Sequence, residues 1–285
     1  MTTTAARRSR LDAGRRVFSR ILVGIDGSQQ ALEAARQAAL LEDVHGELSL
    51  LSTWDIAPTI IGGTGTHIPY YYDEELQRRV AERNLAAASE HVRPYARTTA
   101  TLVRGTPVSE LLQAIDRDQR TLVVVGSSGT GRLLGIVAGA VATELIHKAP
   151  CSILVARAAP ATFPKRLVVG VDGSIESAAA YACAYFLAAR FDAELHAVVA
   201  RGGKGVNERL VAAITDGAHV DSHLPPTEAL AAAAAEADLV IVGSRGLHGV
   251  RALGSVSERL AHTAACSALV VREPVWQRVA EELGR

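Results

Sequence analysis

RILVGIDGS, residues 20–28, decides the architecture. ILVGI is a short β-branched run of the kind that forms a buried strand. It stops at Asp26-Gly27-Ser28, a turn with capping chemistry. ALEAARQAALLEDV follows, rich in Ala and Leu, which predicts a helix with Ser28 as its N-cap. Strand, tight turn and helix together make the first half of a βαβ unit. The same signature returns as RLVVGVDGS at 166–174.

Two more segments recur in the same order. TLVVVGSSG (121–129) returns as DLVIVGSRG (238–246), and APCSILVAR (149–157) as AACSALVVR (264–272). Three ordered repeats more than one hundred residues apart mean tandem domains, not a solenoid. Asp26 and Asp172 are 146 positions apart, but Gly126 and Gly243 only 117, so the second copy is 29 residues shorter between turn and glycine loop. The expected organisation is a tail (1–19), domain 1 (20–157), a proline-bearing linker (158–165), a trimmed domain 2 (166–272) and a tail or short helix (273–285).

Between these landmarks, strand and helix patterns alternate. In copy one ELSLLST, TTATLV, TLVVV and SILVA read as further strands, and DEELQRRVAERNLAAASEHV and PVSELLQAIDRD as helices. Alternation of this kind implies right-handed crossovers. The expected fold is α/β: two tandem Rossmann-like domains, each a mainly parallel five-stranded sheet flanked by helices. In copy two, RGGKGVNERLVAAITDG replaces the insertion and the long helix.

Composition limits the function. Formal net charge is zero over 285 residues, with 30 basic and 30 acidic side chains, so no basic surface calls for nucleic acid. No apolar run approaches the ~20 residues of a membrane span. Three cysteines, Cys151, Cys183 and Cys266, make neither a disulfide framework nor a CxxC metal pair and fit a reducing cytoplasm. Six arginines among the first twenty residues read as a frayed tail, with an organellar transit peptide as the alternative.

GSSGTGRLLGIVAGA (126–140) lies where the fourth strand ends and a helix begins. Ligands of open α/β sheets sit beyond the carboxyl ends of the strands, and a helix N-terminus favours an anion. A phosphate cradle is one reading; a βα connection in which glycine only relieves steric strain is the other. Neither common phosphate motif fits. After Gly131 come Arg132 and Leu133, without the Lys-Ser/Thr pair of a Walker loop. A dinucleotide fingerprint fails because Gly135 is one residue late and the next strand ends in Arg157, not an acid.

The spacing that does fit is G-x2-G-x9-G, made by Gly126, Gly129 and Gly139. With the Asp-Gly-Ser turn and the tandem plan, the chain resembles the universal stress protein family in its two-domain form, over about 20–157 and 166–272. The resemblance implies a stress-response or regulatory protein that binds ATP, with magnesium as companion ion, and acts on a regulatory protein partner. It implies that Gly24, Ile25 and Asp26 lie by the adenosine and that Thr53 lines the adenine pocket. Gly126 and Gly129 would approach ribose and phosphates, and Gly139, Ala140 and Val141 would offer backbone N–H groups to the phosphates. A second candidate site would use Asp172, Ala200, Gly243, Gly246, Gly254, Ser255 and Val256. It further implies that SILVAR and SALVVR pair as an intrachain pseudo-dimer, with association into a homodimer beyond that.

Both copies depart from the family pattern. Copy one has Ala140 where Ser or Thr belongs, and copy two keeps Gly254-Ser255 but has only seven residues between Gly246 and Gly254. Copy one is therefore the expected ATP site. The alternatives are a nucleotide-independent interaction scaffold and a slow ATPase. No nucleophile, base and orienting residue group together, and neither G-x-S-x-G nor H-E-x-x-H occurs.

Other residues have more than one reading each. His219, Asp221 and His223 would share one face of a strand, as metal ligands or as a solvated face with Val220 and Leu224 packing inward. Cys151 and Cys266 stand in matching positions, for packing or for redox chemistry. Tyr70, Tyr71 and Tyr72 could lid a base, contact a partner or anchor their loop.

Overall fold

The computed structural model describes residues 17–43, 45–54, 74–127, 139–201, 206–216, 219–244 and 255–272. In the first copy these form β1 (Arg20–Ile25), α1 (Gln29–Leu41), β2 (Glu47–Trp54), α2 (Glu74–Val92) and β3 (Thr98–Arg104). They continue with α3 (Pro107–Asp118), β4 (Leu122–Gly126), α4 (Ala140–Lys148) and β5 (Ser152–Ala156). The second copy has β6 (Arg166–Gly170), α5 (Ile175–Phe191), β7 (Glu194–Ala200), α6 (Glu208–Thr215) and β8 (Val220–Ser222). It closes with α7 (Pro226–Ala234), β9 (Leu239–Gly243), α8 (Ser255–Thr263) and β10 (Ser267–Val271).

The two five-stranded halves are one ten-stranded sheet, ordered β3-β2-β1-β4-β5-β10-β9-β6-β7-β8. Every pairing inside a half is parallel. The pairing that joins them, β5 with β10, is antiparallel, with Ala268 opposite Val155, Leu269 opposite Leu154 and Val270 opposite Ile153.

Both faces of the sheet are covered, so the central strands are apolar without alternation. On one face, α1, α2 and α5 bury a layer that runs through Val23, Leu50 and Leu154 to Leu269 and Ile241. On the other, α3, α4, α7 and α8 bury a layer through Val125, Ile153, Ala268 and Val242. Both layers cross the β5–β10 seam without a break. The alanine-rich α5 lies close on the sheet because its buried residues, Ala178, Ala179, Ala180, Ala182 and Ala184 among them, are small.

Polar groups lock the same seam reciprocally. Arg157, just after β5, donates to the carbonyls of Ala261 (2.7 Å), His262 (3.1 Å) and Cys266 (3.2 Å) at and beyond the C-terminal end of α8. Arg272, just after β10, donates to the carbonyls of Ile146 and Ala149 at the end of α4. The backbone N–H groups of Arg157 and Arg272 go to Ser267 Oγ (3.0 Å) and Ser152 Oγ (3.1 Å). Helix C-termini leave carbonyls unpartnered and carry partial negative charge, so a guanidinium there meets both needs. Burial lowers the pKa of both arginines, that of Arg272 to about 10.

Leu154 and Leu269 are fully buried where the seam crosses the core. Leu269→Ala is expected to lower stability by about 3 kcal/mol, the usual cost of a cavity of that size. Urea unfolding followed by circular dichroism measures it; a loss below about 1 kcal/mol would mean that the seam is not close-packed.

Candidate functional site

The carboxyl ends of the strands gather most of the expected residues. In copy one, β1 has neighbours on both sides, β2 and β4, and the chain order reverses between β1 and β4. Such a switch point opens a crevice at the carboxyl edge. Gly24 and Ile25 end β1, Asp26 follows, Thr53 lies near the end of β2, and Gly126 ends β4. Gly139 is the N-cap of α4, whose first turn holds Ala140 and Val141. Gly129 lies outside the described residues, as do Tyr70, Tyr71 and Tyr72 and the arginines before residue 17.

The Asp26 turn is built by capping. Asp26 Oδ1 accepts from Ser28 N (2.9 Å) and Ser28 Oγ (2.6 Å), and Ser28 Oγ accepts from Ala31 N (3.1 Å). Gly27 has φ +83°, and a Cβ there would meet the Asn84 side chain at 2.3 Å. Asn84, on α2, donates to the Asp26 carbonyl at 3.4 Å. Copy two repeats the turn: Asp172 Oδ1 accepts from Ser174 N (3.0 Å), and Ser174 caps α5 through Ser177 N. There Asn207 N donates to the Asp172 carbonyl, so an asparagine stands beside the turn in both copies.

Gly126 has a packing reason for being glycine. A Cβ on it would lie 2.8 Å from Gln30 Cβ and 2.9 Å from the Gln30 carbonyl carbon. At Gly243 the equivalent contact is the backbone of Glu176, at 2.3 Å. The first helix of each half is thereby seated against the end of the fourth strand.

The two ends of the glycine loop are tied to each other. Ser127 N donates to the Ala156 carbonyl (2.9 Å), and Gly139 N donates to the Ser127 carbonyl (2.7 Å). The Gly139 N–H is held by the chain itself, so the donors left for an anion begin at Ala140 and Val141, whose N–H groups have no carbonyl four residues back inside α4. Ser127 was not singled out in the sequence, although it directly follows Gly126.

In the second half, Asp172 lies two residues beyond the end of β6, Ala200 ends β7 and is buried, Gly243 ends β9, and Ser255 and Val256 open α8. Ser257 Oγ donates to the Gly243 carbonyl (2.8 Å), and Ser244 N to the Val271 carbonyl (3.1 Å). Gly246 and Gly254 lie outside the described residues.

The sequence profile of the universal stress protein family matches residues 18–157 and 208–272. The chain belongs to the universal stress protein family. Two universal stress proteins of Mycobacterium tuberculosis strain H37Rv are 28% and 29% identical to it, each alignment covering 89% of this chain and 97% and 96% of theirs. Among solved structures, a universal stress protein from Archaeoglobus fulgidus superimposes with TM-score 0.68 at 20% identity, covering 90% of this chain and 99% of that one. One from Pseudomonas aeruginosa gives 0.63 at 17%, over 94% and 98%. At such identities the structures speak for the fold. Residues 166–207, which carry the second Asp-Gly-Ser turn, fall outside the profile match, in keeping with the trimmed second copy.

The remaining expectations divide. His219 and Asp221 do meet, Nε2 to Oδ1 at 3.5 Å, but Asp221 is also paired with Arg201 (2.8 Å), and His219 Nδ1 lies 3.1 Å from Thr215 Oγ1. Among the described residues no three His, Cys, Asp or Glu side chains cluster as a metal site. Val220 and Leu224, expected to pack inward, are 58% and 46% exposed; β8 is a three-residue strand at the edge of the sheet, and Leu224 lies beyond its end. No helix among the described residues is long and apolar enough to cross a membrane.

Cys151, Cys183 and Cys266 are buried thiols. Burial pushes Cys266 from an ordinary value near 9 up to about 11, so it stays protonated near neutrality and is a poor nucleophile. A folded thiol that titrates above the unfolded one adds stability that is whole below pH 9 and lost as pH rises through about 11. At pH 8, Ellman's reagent should leave the three thiols unlabelled until urea unfolds the chain. Rapid labelling of the native protein would contradict their assignment to packing.

Proposed function

We propose that this universal stress protein is a regulatory protein that binds ATP in its first copy. The observation that carries the reading is the G-x2-G-x9-G spacing from Gly126 to Gly139, in a loop that leaves the end of β4 beside the β1 switch point and returns at the start of α4. Asp26 stands at the same edge, on the adjoining strand end. The N–H groups of the first turn of α4, which have no acceptor inside the helix, supply donors and a positive dipole end for phosphate oxygens. ATP with magnesium is the ligand class that this combination suits.

Ala140 weakens the cradle without abolishing it. A hydroxyl-to-phosphate bond contributes about 1.5–3 kcal/mol, or roughly ten- to hundredfold in affinity. Copy two keeps Ser255 but its loop is shorter by two residues between the second and third glycines, so it is the poorer candidate. One observation favours a second reading, the nucleotide-independent scaffold: the Gly139 N–H, a natural phosphate donor, is already bonded to Ser127.

Calorimetric titration with Mg-ATP separates the readings. The wild type should bind, Gly129→Asp should not, and Gly246→Asp should bind as the wild type does. Ala140→Ser should tighten binding by about tenfold or more. A wild type that does not bind ATP would overturn the proposal in favour of the scaffold. Loss in Gly246→Asp alone would move the site to copy two.

A further inference from the structure

The reciprocal arginines connect the two glycine loops in a closed ring. The loop of copy one begins at Ser127, which hangs on the carbonyl of Ala156 and holds Gly139 at the head of α4. The tail of α4 is bonded through the carbonyls of Ile146 and Ala149 to Arg272. Arg272 Nε also donates to Ser244 Oγ at 2.9 Å, and Ser244 is the first residue of the copy-two loop. That loop leads into α8, whose tail carbonyls, Ala261 and His262, are held by Arg157. Arg157 directly follows Ala156, which holds Ser127 and closes the ring. The two helices also meet at their flanks, His147 Nε2 lying 3.3 Å from Glu258 Oε1.

We infer that Arg157 and Arg272 are positioning residues that couple the two candidate sites, each fastening the phosphate-end helix of the opposite copy to the edge from which its own loop springs. The functional half of this inference rests on the ATP reading above. α4 has nine residues, about 13 Å of rigid rod, so an anion drawn to its head moves its tail with it. The tail carbonyls are bonded to Arg272, and Arg272 bonds Ser244 directly, so the displacement reaches the copy-two loop without crossing the core. Buried guanidinium–carbonyl bonds suit this task, since desolvation makes their loss costly and the geometry therefore discrete. The second copy then has a role even with a shortened loop: it sets the rest position of the first copy's phosphate helix.

Ser244→Ala tests the link most gently, because it leaves the carbonyl bonds of Arg272 in place; Ser244→Thr, which restores a hydroxyl, is the rescue. Arg272→Lys keeps the charge but cannot span the same partners. Hydrogen exchange is read at 139–148, with α1 as the control, because general destabilisation would speed both alike. Exchange at 139–148 should rise at least fivefold in Ser244→Ala and Arg272→Lys, with α1 unchanged and recovery in Ser244→Thr. No selective change in either variant overturns the inference. Where the wild type binds ATP, affinity should fall about fivefold or more in Ser244→Ala, within the usual range of coupling between sites, and an unchanged affinity overturns the coupling. Where the wild type does not bind ATP, the ATP reading fails, and exchange alone decides the coupling.

Discussion

A guanidinium on the carbonyl end of a helix from the other half of the chain is the contact on which this structure turns. Each half of the sheet would otherwise end in a bare strand, β5 or β10, with a row of unpaired backbone groups. Antiparallel pairing of those strands removes both edges at once. Arg157 and Arg272 then fill the carbonyl ends of α8 and α4, the two helices that flank the seam. Burial lowers the pKa of both arginines, because desolvation opposes the charged form. Multiple carbonyl acceptors and the helix dipoles offset that cost. α1 joins in, since Gln37 donates to the Arg157 carbonyl (2.7 Å) and accepts from Ser267 Oγ (2.8 Å).

That constraint also determines where chemistry can occur. With the amino-to-carboxyl direction of each half set by its parallel strands, the βα turns of a half open together on one edge, and the antiparallel seam puts those of the other half on the opposite edge. The switch point beside β1 puts the Asp26 turn next to the end of β4, and the α4 N-terminus follows. The same geometry recurs beside β6 and β9. Small residues are placed where backbone must approach backbone, as Gly126 does against Gln30 and Gly243 against Glu176.

Much of this was legible because it is local or repeated. Apolar runs ending at Asp-Gly-Ser located β1 and β6, and Ser28 was recognisable as a cap because its hydroxyl acts only three residues away. Tandem organisation was visible in matched segments. The bond from the Gly139 N–H to Ser127 was not legible, because its partner lies across a loop whose closure no spacing reveals. Val220 was assigned inward because alternation gives a period and not a sign, and β8 is too short to settle which face is covered. Arg157 was noticed only as a missing acid. Its counterpart Arg272, at the same place in the repeated segment, was the available signal that both do one job across the seam.

The central claim, one ATP held by the first copy, is tested most directly by the nucleotide that leaves freshly purified protein on denaturation, separated and quantified by chromatography. The account predicts ATP at up to one molecule per chain from the wild type, and none from Gly129→Asp. Equal amounts from both proteins, or none from a wild type purified with Mg-ATP present throughout, would contradict it.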